Sequence, residues 1–461
     1  MLDLHLIRTQ PELVRQAFAR RGQDSAPLEA LLRADERRRE LLQEVETLRA
    51  ERNRVSEEIG KLKKSGGDVP RPEARDGSPR GLATAEMVAE MRRVGDRIKE
   101  LEQILRAVEA EQERLALEIP NIPDASTPVG TTEEENVIVR EWGEPRKFDF
   151  EPKPHWEIAV NLDIVDFERA AKIAGANFEV FKGAGALLRW ALINFMLDLH
   201  TREHGYTEAA PPVLARRDSL IASGHLPKFE EDQFHVREND MFLIPTAESA
   251  LANLHRDEIL EAETLPLTYV AYTPCFRYEK FSAGKESRGL IRQFQFDKVE
   301  MFKFVTPETS MHELESLLGN AERVYQLLGI PYKLALLCAG EMSVAAAKAY
   351  DPMAWFPGTG KWMELSSCSN CLDWQARRAN VRFRRERGAK PEFVHTLNGS
   401  GLAVGRTFAA IIENYQQEDG SVTVPEVLRG YMGGASKIGD QGCEYVIVRE
   451  DTAGSRPKCD T

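Results

Sequence analysis

The sequence predicts an α+β chain: an N-terminal antiparallel helical hairpin, a coiled coil, followed by an antiparallel β-sheet core flanked by helices. Three observations carry this. Leu41, Val45, Leu48, Arg52, Val55, Ile59 and Leu62 recur at alternating steps of four and three. Met87, Met91, Val94, Ile98, Leu101, Leu105, Val108, Gln112 and Leu115 do the same, which is heptad spacing in two segments. Between them residues 65–81 (SGGDVPRPEARDGSPRG) hold too much Gly and Pro for a helix to continue, so the chain turns back. From about residue 160 onward, helical stretches and short β-rich runs alternate without the regular rhythm of a parallel sheet.

The elements follow in order. Residues 1–24 read as a short capped helix, with Thr9 three residues before Glu12 and Pro11 in the first turn. The first arm of the hairpin runs from about residue 28 to 64, roughly 55 Å at 1.5 Å per residue. A hairpin of this kind has too little core to be a compact domain. It is either a dimerisation rod or a projecting arm that grips something long, and it fills a first domain over 1–118. Residues 119–160, rich in Pro, Thr and acid, read as a linker with one strand at Val137 to Arg140. In the domain over 161–433, helices are expected near 185–204, 246–261, 307–328 and 340–349. Strands are expected near 267–273, 291–305, 332–338 and 361–366. Residues 434–461 form a tail whose Glu444 to Glu450 stretch is either a strand or unstructured.

Composition bounds the class. With 461 residues, 42% hydrophobic and 29% charged, the chain is an ordinary globular protein of two or three domains. No apolar run approaches the roughly 18–20 residues of a membrane span, and MLDLHLIRTQPEL is not a secretory signal. Six cysteines are too sparse for a disulfide scaffold and fit a reducing cytoplasm. The net charge of −13 argues against a nucleic-acid partner until it is divided. Residues 31–120 carry 19 Lys and Arg against 20 Asp and Glu, a net of −1, and residues 61–80 carry 6 against 3, a net of +3. Local charge governs phosphate contact, so the objection weakens.

Neither a P-loop nor a Rossmann glycine turn is present. Three other patterns occur in order. The first is a long apolar helix (ALLRWALINFMLDLHTREHG) leading to Gly205–Leu214 with Pro211 and Pro212, which alone signals a buried helix. The second is Phe276-Arg277-Tyr278-Glu279, then the loop KFSAGKESRG, then Arg292, Phe296 and Glu300. An arginine grips a phosphate and a carboxylate in bidentate fashion. A glutamate two residues along a strand shares its face and accepts from an adenine amine. A phenylalanine stacks a purine. The third is His395 to Arg406 (HTLNGSGLAVGR), where small residues let a strand and a helix approach closely.

Together these patterns resemble the class II aminoacyl-tRNA synthetases, and within them the bacterial-type seryl-tRNA synthetase family. Pro212 matches motif 1, Arg277 to Glu300 motif 2, and the stretch ending in Arg406 motif 3. Thr246-Ala247-Glu248, the ELSSCSNC stretch from Glu364 to Cys371, and HTLNGSGLAVGRT match the serine-specific features. The heptad hairpin matches the family's tRNA-binding arm. The resemblance covers about residues 1–433.

The resemblance implies the roles. Arg277 and Arg406 are the catalytic residues. ATP is held by Arg277, Tyr278, Glu279, Arg292, Gln293, Phe296, Glu364, Leu365, Ser366, Ser367 and Arg406. Serine is held by Thr246, Ala247, Glu248, Arg277, Glu300, Asn398 and Ser400. Glu364 and Ser367 carry a Mg2+ ion that accompanies ATP. The implied partners are serine, serine tRNA with its long variable arm and selenocysteine tRNA. A second copy of the chain is implied through the motif 1 region, with no membrane, in the cytoplasm. No zinc is expected, because Cys368-x-x-Cys371 has no second CxxC among Cys275, Cys338, Cys443 and Cys459. The basic run Arg377 to Arg385 reads as a solvated face or as a contact with the tRNA acceptor stem or arm. The chain departs from the family pattern at Gly175-Ala176-Asn177-Phe178, at Met353 and at Glu341, none of them assigned to substrate. The rival readings are a serine-activating ligase that loads a carrier protein, a catalytically silent RNA-binding paralogue, and a duplicate with the same chemistry.

Overall fold

The computed structural model describes residues 1–65, 79–280, 288–439 and 442–445, with backbone alone at 62–65, 79–86, 444 and 445. The positive hairpin tip, most of the loop at 280–289 and the end of the tail, with Cys459, lie outside the described residues. The chain divides into two compact units. One comprises Leu2–Ala19 and Gln23–Pro120. The other comprises Met1, Arg20–Gly22 and the residues from Asn121 onward.

The first unit is helical. Two short helices, Leu4–Thr9 and Pro11–Arg20, precede α1 (Ala26–Ser65) and α2 (Pro79–Glu118). Thr9 is not the cap expected of it. It closes the first short helix, its hydroxyl donating to the His5 carbonyl at 2.8 Å, while Asp3 caps that helix by accepting from His5 N. The two long helices run antiparallel, as their cross-pairs show: Asp35 meets Gln112, Arg38 meets Glu109, Glu44 meets Arg97, and Arg49 meets Glu102. Leu41, Val45 and Leu101 are buried in the seam, with Leu48, Leu105 and Val108 packed against them. At its base the Gln112 amide donates to Asp35 at 2.9 Å, and Arg8 grips the same carboxylate, which holds Asp35 below the usual carboxylate range. The exposed cross-helix ion pairs add little stability.

The second unit is built on a nine-stranded sheet: β1 (Val137–Trp142), β2 (Thr207–Glu208), β3 (Leu267–Phe276), β4 (Gln295–Val305), β5 (Tyr332–Leu336), β6 (Lys348–Phe356), β7 (Lys361–Glu364), β8 (Cys368–Leu372) and β9 (His395–Ala403). The order is β1-β5-β6-β8-β9-β4-β3-β2, with β7 paired to β6. Every pairing is antiparallel except β2 with β3. Helices α3 (Ala184–Asp198), α4 (Ser310–Leu328) and α5 (Val404–Asn414) share one hydrophobic core with the sheet. The stretch read as a linker contributes β1 to the sheet edge, and the stretch read as a tail supplies Ala435–Gly439, which pairs with Val422–Thr423 on one side and with Gly442–Tyr445 on the other.

Two expected helices are not formed. Over 246–261 only Glu248–Leu251 is helical, because Asp257 turns left-handed at φ 61° and Ile259–Glu261 pairs with Arg382–Arg384 instead. Over 340–349 the alanines favour a helix locally. The backbone bonds sideways instead, Ala347 N to Asn370 O at 2.8 Å and Leu337 N to Ala349 O at 3.0 Å, and Ala346, Ala347 and Ala349 are buried. Tertiary pairing overrides propensity at both places.

Candidate active site

A cavity of about 490 Å³ opens in the sheet unit. Strand alternation decides which side chains reach it. On β4, Phe296, Lys298 and Glu300 line the cavity; on β9, Asn398 and Ser400 do. The intervening Gly399 lies against α4, where a Cβ would come 2.2 Å from Leu317 Cδ2. Pairing slips between Val299 and Glu300, so that Val299 faces Leu402 and Glu300 faces Ser400, leaving Gly401 as an extra bulged residue. A Cβ there would lie 2.6 Å from His200 Nε2. Glycine at 399 and 401 is therefore required by close packing behind the cavity wall.

Of the residues expected from sequence, Thr246, Glu248, Arg277, Glu279, Arg292, Gln293, Phe296, Glu300, Glu364, Leu365, Ser367, Asn398, Ser400 and Arg406 line this one cavity. Tyr278, Ala247 and Ser366 do not. The Tyr278 ring stacks on Phe234, with centroids 4.0 Å apart. Ala247 is buried in a small apolar cluster. The Ser366 hydroxyl donates to the Ser400 carbonyl at 2.6 Å, tying the strand end to β9.

The cavity has two chemically distinct ends. At one, the Arg277 guanidinium lies 5.1 Å over the Phe296 ring and donates to the Pro245 carbonyl. Arg292 pairs with Glu279 at 2.6 Å. Arg406 donates to the Ile291 and Glu364 carbonyls, with the Glu364 carboxylate 3.6 Å away. A planar aromatic face and three arginines suit a nucleotide. At the other end, Thr246 donates to Glu300, and Glu248 accepts from Gln375 at 2.6 Å and from Asn398 at 3.1 Å. Burial and the Glu300 charge push the Glu248 carboxyl up to about 7. Two carboxylates, Glu300 buried and Glu248 half-buried, with hydroxyl and amide neighbours suit a small cationic, hydroxyl-bearing molecule.

Sequence reasoning missed Glu179, His225, Lys298 and Asp351, and it set Glu341 aside, yet all five line the cavity. Burial and the charge of Asp297 push Glu179 up to about 8. Burial, with Arg277 and Lys298, holds His225 neutral, down to about 3. Asp351 is pushed well above its ordinary value by burial and by Glu364, and its Oδ1 is buried without a partner. Glu179, His225, Glu341 and Asp351 are single residues with no motif around them, and Lys298 lies inside the Arg277 to Glu300 stretch. The one usable signal was the period-two match of Lys298 with Phe296 and Glu300.

The oxygen donors Glu364, Ser367 and Asp351 sit on the same wall. Among the described residues no three His, Cys, Asp or Glu side chains form a self-contained metal cage. A hard cation that keeps several ligands from phosphate and water fits such a sparse oxygen set. Cys368 and Cys371 are buried, and Cys371 Sγ accepts from Asn398. In the basic run, Arg377 pairs with Asp373, Arg378 donates to the Ile221 carbonyl, and Arg385 pairs with Glu392 and Glu308. Arg377 and Arg378 are engaged within the fold, whereas Arg385 makes its ion pairs on an exposed, solvated face. Gly175–Phe178 lines a second cavity of about 420 Å³ beside Gln293, with Trp156 and Arg288.

The chain is similar to known proteins over nearly its whole length. Residues 1–123 match the seryl-tRNA synthetase N-terminal domain, and residues 228–415 match the tRNA synthetase class II core domain (G, H, P, S and T). A serine–tRNA ligase of Geobacillus kaustophilus (strain HTA426) is 55% identical over 438 residues, 95% of this chain and 100% of that protein. The crystal structure of seryl-tRNA synthetase from Pyrococcus horikoshii complexed with ATP superposes with a TM-score of 0.86 at 39% identity, over 95% of this chain and 99% of that one. The crystal structure of the cytoplasmic serine–tRNA ligase from Naegleria fowleri, in complex with AMP, gives 0.83 at 30%, over 95% and 98%.

Proposed function

The chain belongs to the seryl-tRNA synthetase family, and from that premise we propose how its residues divide the work. The enzyme is a serine–tRNA ligase: ATP activates serine to seryl-adenylate, and the seryl group then passes to tRNA. The observation that carries the residue assignment is the convergence of fourteen sequence-expected side chains on one cavity with an arginine-rich end and a carboxylate end.

In this reading Arg277 spans the two ends, holding the α-phosphate and the serine carboxylate. The serine carboxylate is already ionised, so its attack on the α-phosphorus needs no general base. Positioning and charge stabilisation do the work. Phe296 and Arg406 sandwich the adenine, Glu279 accepts from its amine, Gln293 contacts it through the backbone, and Arg292 meets the terminal phosphates. Glu364 and Ser367 would hold a magnesium ion, which supplies charge neutralisation at the phosphates. Glu248, Thr246 and Asn398 receive the serine ammonium group, while Glu300 and Ser400 read its hydroxyl. Alanine would leave those last two unpaired, at roughly 1–3 kcal/mol per buried polar group. Pocket size excludes threonine.

The hairpin over residues 1–118 grips the long variable arm of serine tRNA, and selenocysteine tRNA is a second substrate. The chain works as a homodimer in the cytoplasm, joined through the motif 1 region, where Trp190 and Leu214 are 48% and 40% exposed. No described helix is long and apolar enough to cross a membrane. A carrier-loading ligase would have no use for the hairpin, and a silent paralogue would not keep the full set of cavity residues. Pyrophosphate exchange with serine, threonine and alanine, with and without serine tRNA, tests the assignment. Serine-dependent exchange without tRNA supports it; equal exchange with alanine overturns the serine pocket.

A further inference from the structure

We propose that Lys298 is a positioning residue for serine: paired to Glu300, it fixes that carboxylate in the pocket and separates its charge from Glu248. The inference rests on the serine-pocket reading above and extends it to a residue within the Arg277 to Glu300 stretch that has been given no role.

Lys298 sits two residues before Glu300 on β4, so both side chains emerge on the cavity face. They are 8% and 1% exposed, and Nζ lies 2.5 Å from Glu300 Oε2. The Thr246 hydroxyl donates to the same oxygen at 3.3 Å. Both contacts fall on Oε2, which leaves Oε1 as the oxygen a ligand can engage. A buried carboxylate that loses its cation is costly to keep and free to rotate.

The surroundings make this lysine specific. Glu248 faces the pair from the short helix Glu248–Leu251, Arg277 and Cys275 from the end of β3, His225 from the loop beside them, and Cys368 from β8. Burial keeps both thiols protonated and His225 neutral. The charge balance of the pocket therefore falls to two carboxylates and two cations, and Lys298 is the cation in contact with Glu300. Its field lowers the Glu248 carboxyl, while burial and Glu300 raise it. Removing Lys298 thus shifts the pH at which Glu248 becomes ready for the serine ammonium.

The test is pyrophosphate exchange by the full chain between about pH 6 and 9, with the KM values for serine and ATP measured separately. Lys298→Met and the polar Lys298→Gln should each raise the serine KM by about tenfold or more, with the ATP KM nearly unchanged. Both should move the pH midpoint of the serine KM upward, and Lys298→Arg should return it toward the wild-type position. A purely structural role would not move that midpoint. If neither variant changes the serine KM or its midpoint while Glu300→Gln raises the KM, the proposal is wrong and the pocket assignment stands. If Glu300→Gln also leaves the serine KM unchanged, the pocket assignment falls and the proposal falls with it.

Discussion

Arg292 Nη1 lies 2.6 Å from Glu279 Oε2, although the two groups are assigned to opposite parts of the nucleotide, the terminal phosphates and the adenine amine. The two bond to each other here, while Arg292 Nε is buried without a partner. On the proposed assignment ATP engages the two groups at separate places. Glu279→Gln keeps the size but loses the charge, so it should raise the ATP KM by about tenfold, the worth of one charge-assisted hydrogen bond, and leave the serine KM unchanged. Steady-state exchange with each substrate varied checks this.

Arg277 is the one cation assigned to both substrates, and it lies over Phe296. Arg277→Ala should therefore abolish serine-dependent exchange rather than raise one KM alone. Near-normal exchange would remove motif 2 from the chemistry.

Glu248 predicts a pH dependence. Its carboxyl sits at about 7, above the ordinary value, because of burial and then Glu300. Below that pH the free enzyme holds a proton that serine binding must expel. The serine KM should then rise by about tenfold per unit as pH falls below 7 and level off above it. The same raised value means that Glu248 favours the folded, serine-free chain at acid pH and that this contribution fades as pH rises through 7. Glu248→Gln should flatten the KM profile, checked by exchange across the range.

Gly399 predicts a coupling of packing to specificity. A methyl at this position meets Leu317 on α4 and pushes on the strand that carries Asn398 and Ser400. Gly399→Ala should cost about 1–3 kcal/mol in thermal or denaturant unfolding and raise the serine KM more than the ATP KM.

These positions show what was legible in the sequence. The hairpin was readable because the buried seam repeats every heptad, down to Val45 and Leu101. The site was readable wherever residues cluster in a motif, as from Arg277 to Glu300. Asp351, Glu341 and His225 were not readable, because only the order β5-β6-β8-β9 and the loops at its ends bring them to the cavity. The alanines at 345–347 misled for the same reason, since they are buried and Ala347 bonds through its backbone to β8 instead of building a helix. Lys298 looked like one more polar residue on a strand until its distance to Glu300 was known.

On the proposed function the sheet cavity activates serine by itself and the hairpin serves only the tRNA. Deleting residues 30–115 tests it most directly, with exchange and tRNA charging measured on the same preparation. The expected result is serine-dependent exchange close to that of the full chain and charging of serine tRNA reduced by about 10²–10⁴, the scale on which a lost second binding surface acts. Charging that survives the deletion, or exchange that disappears with the hairpin from a folded sheet unit, would contradict it.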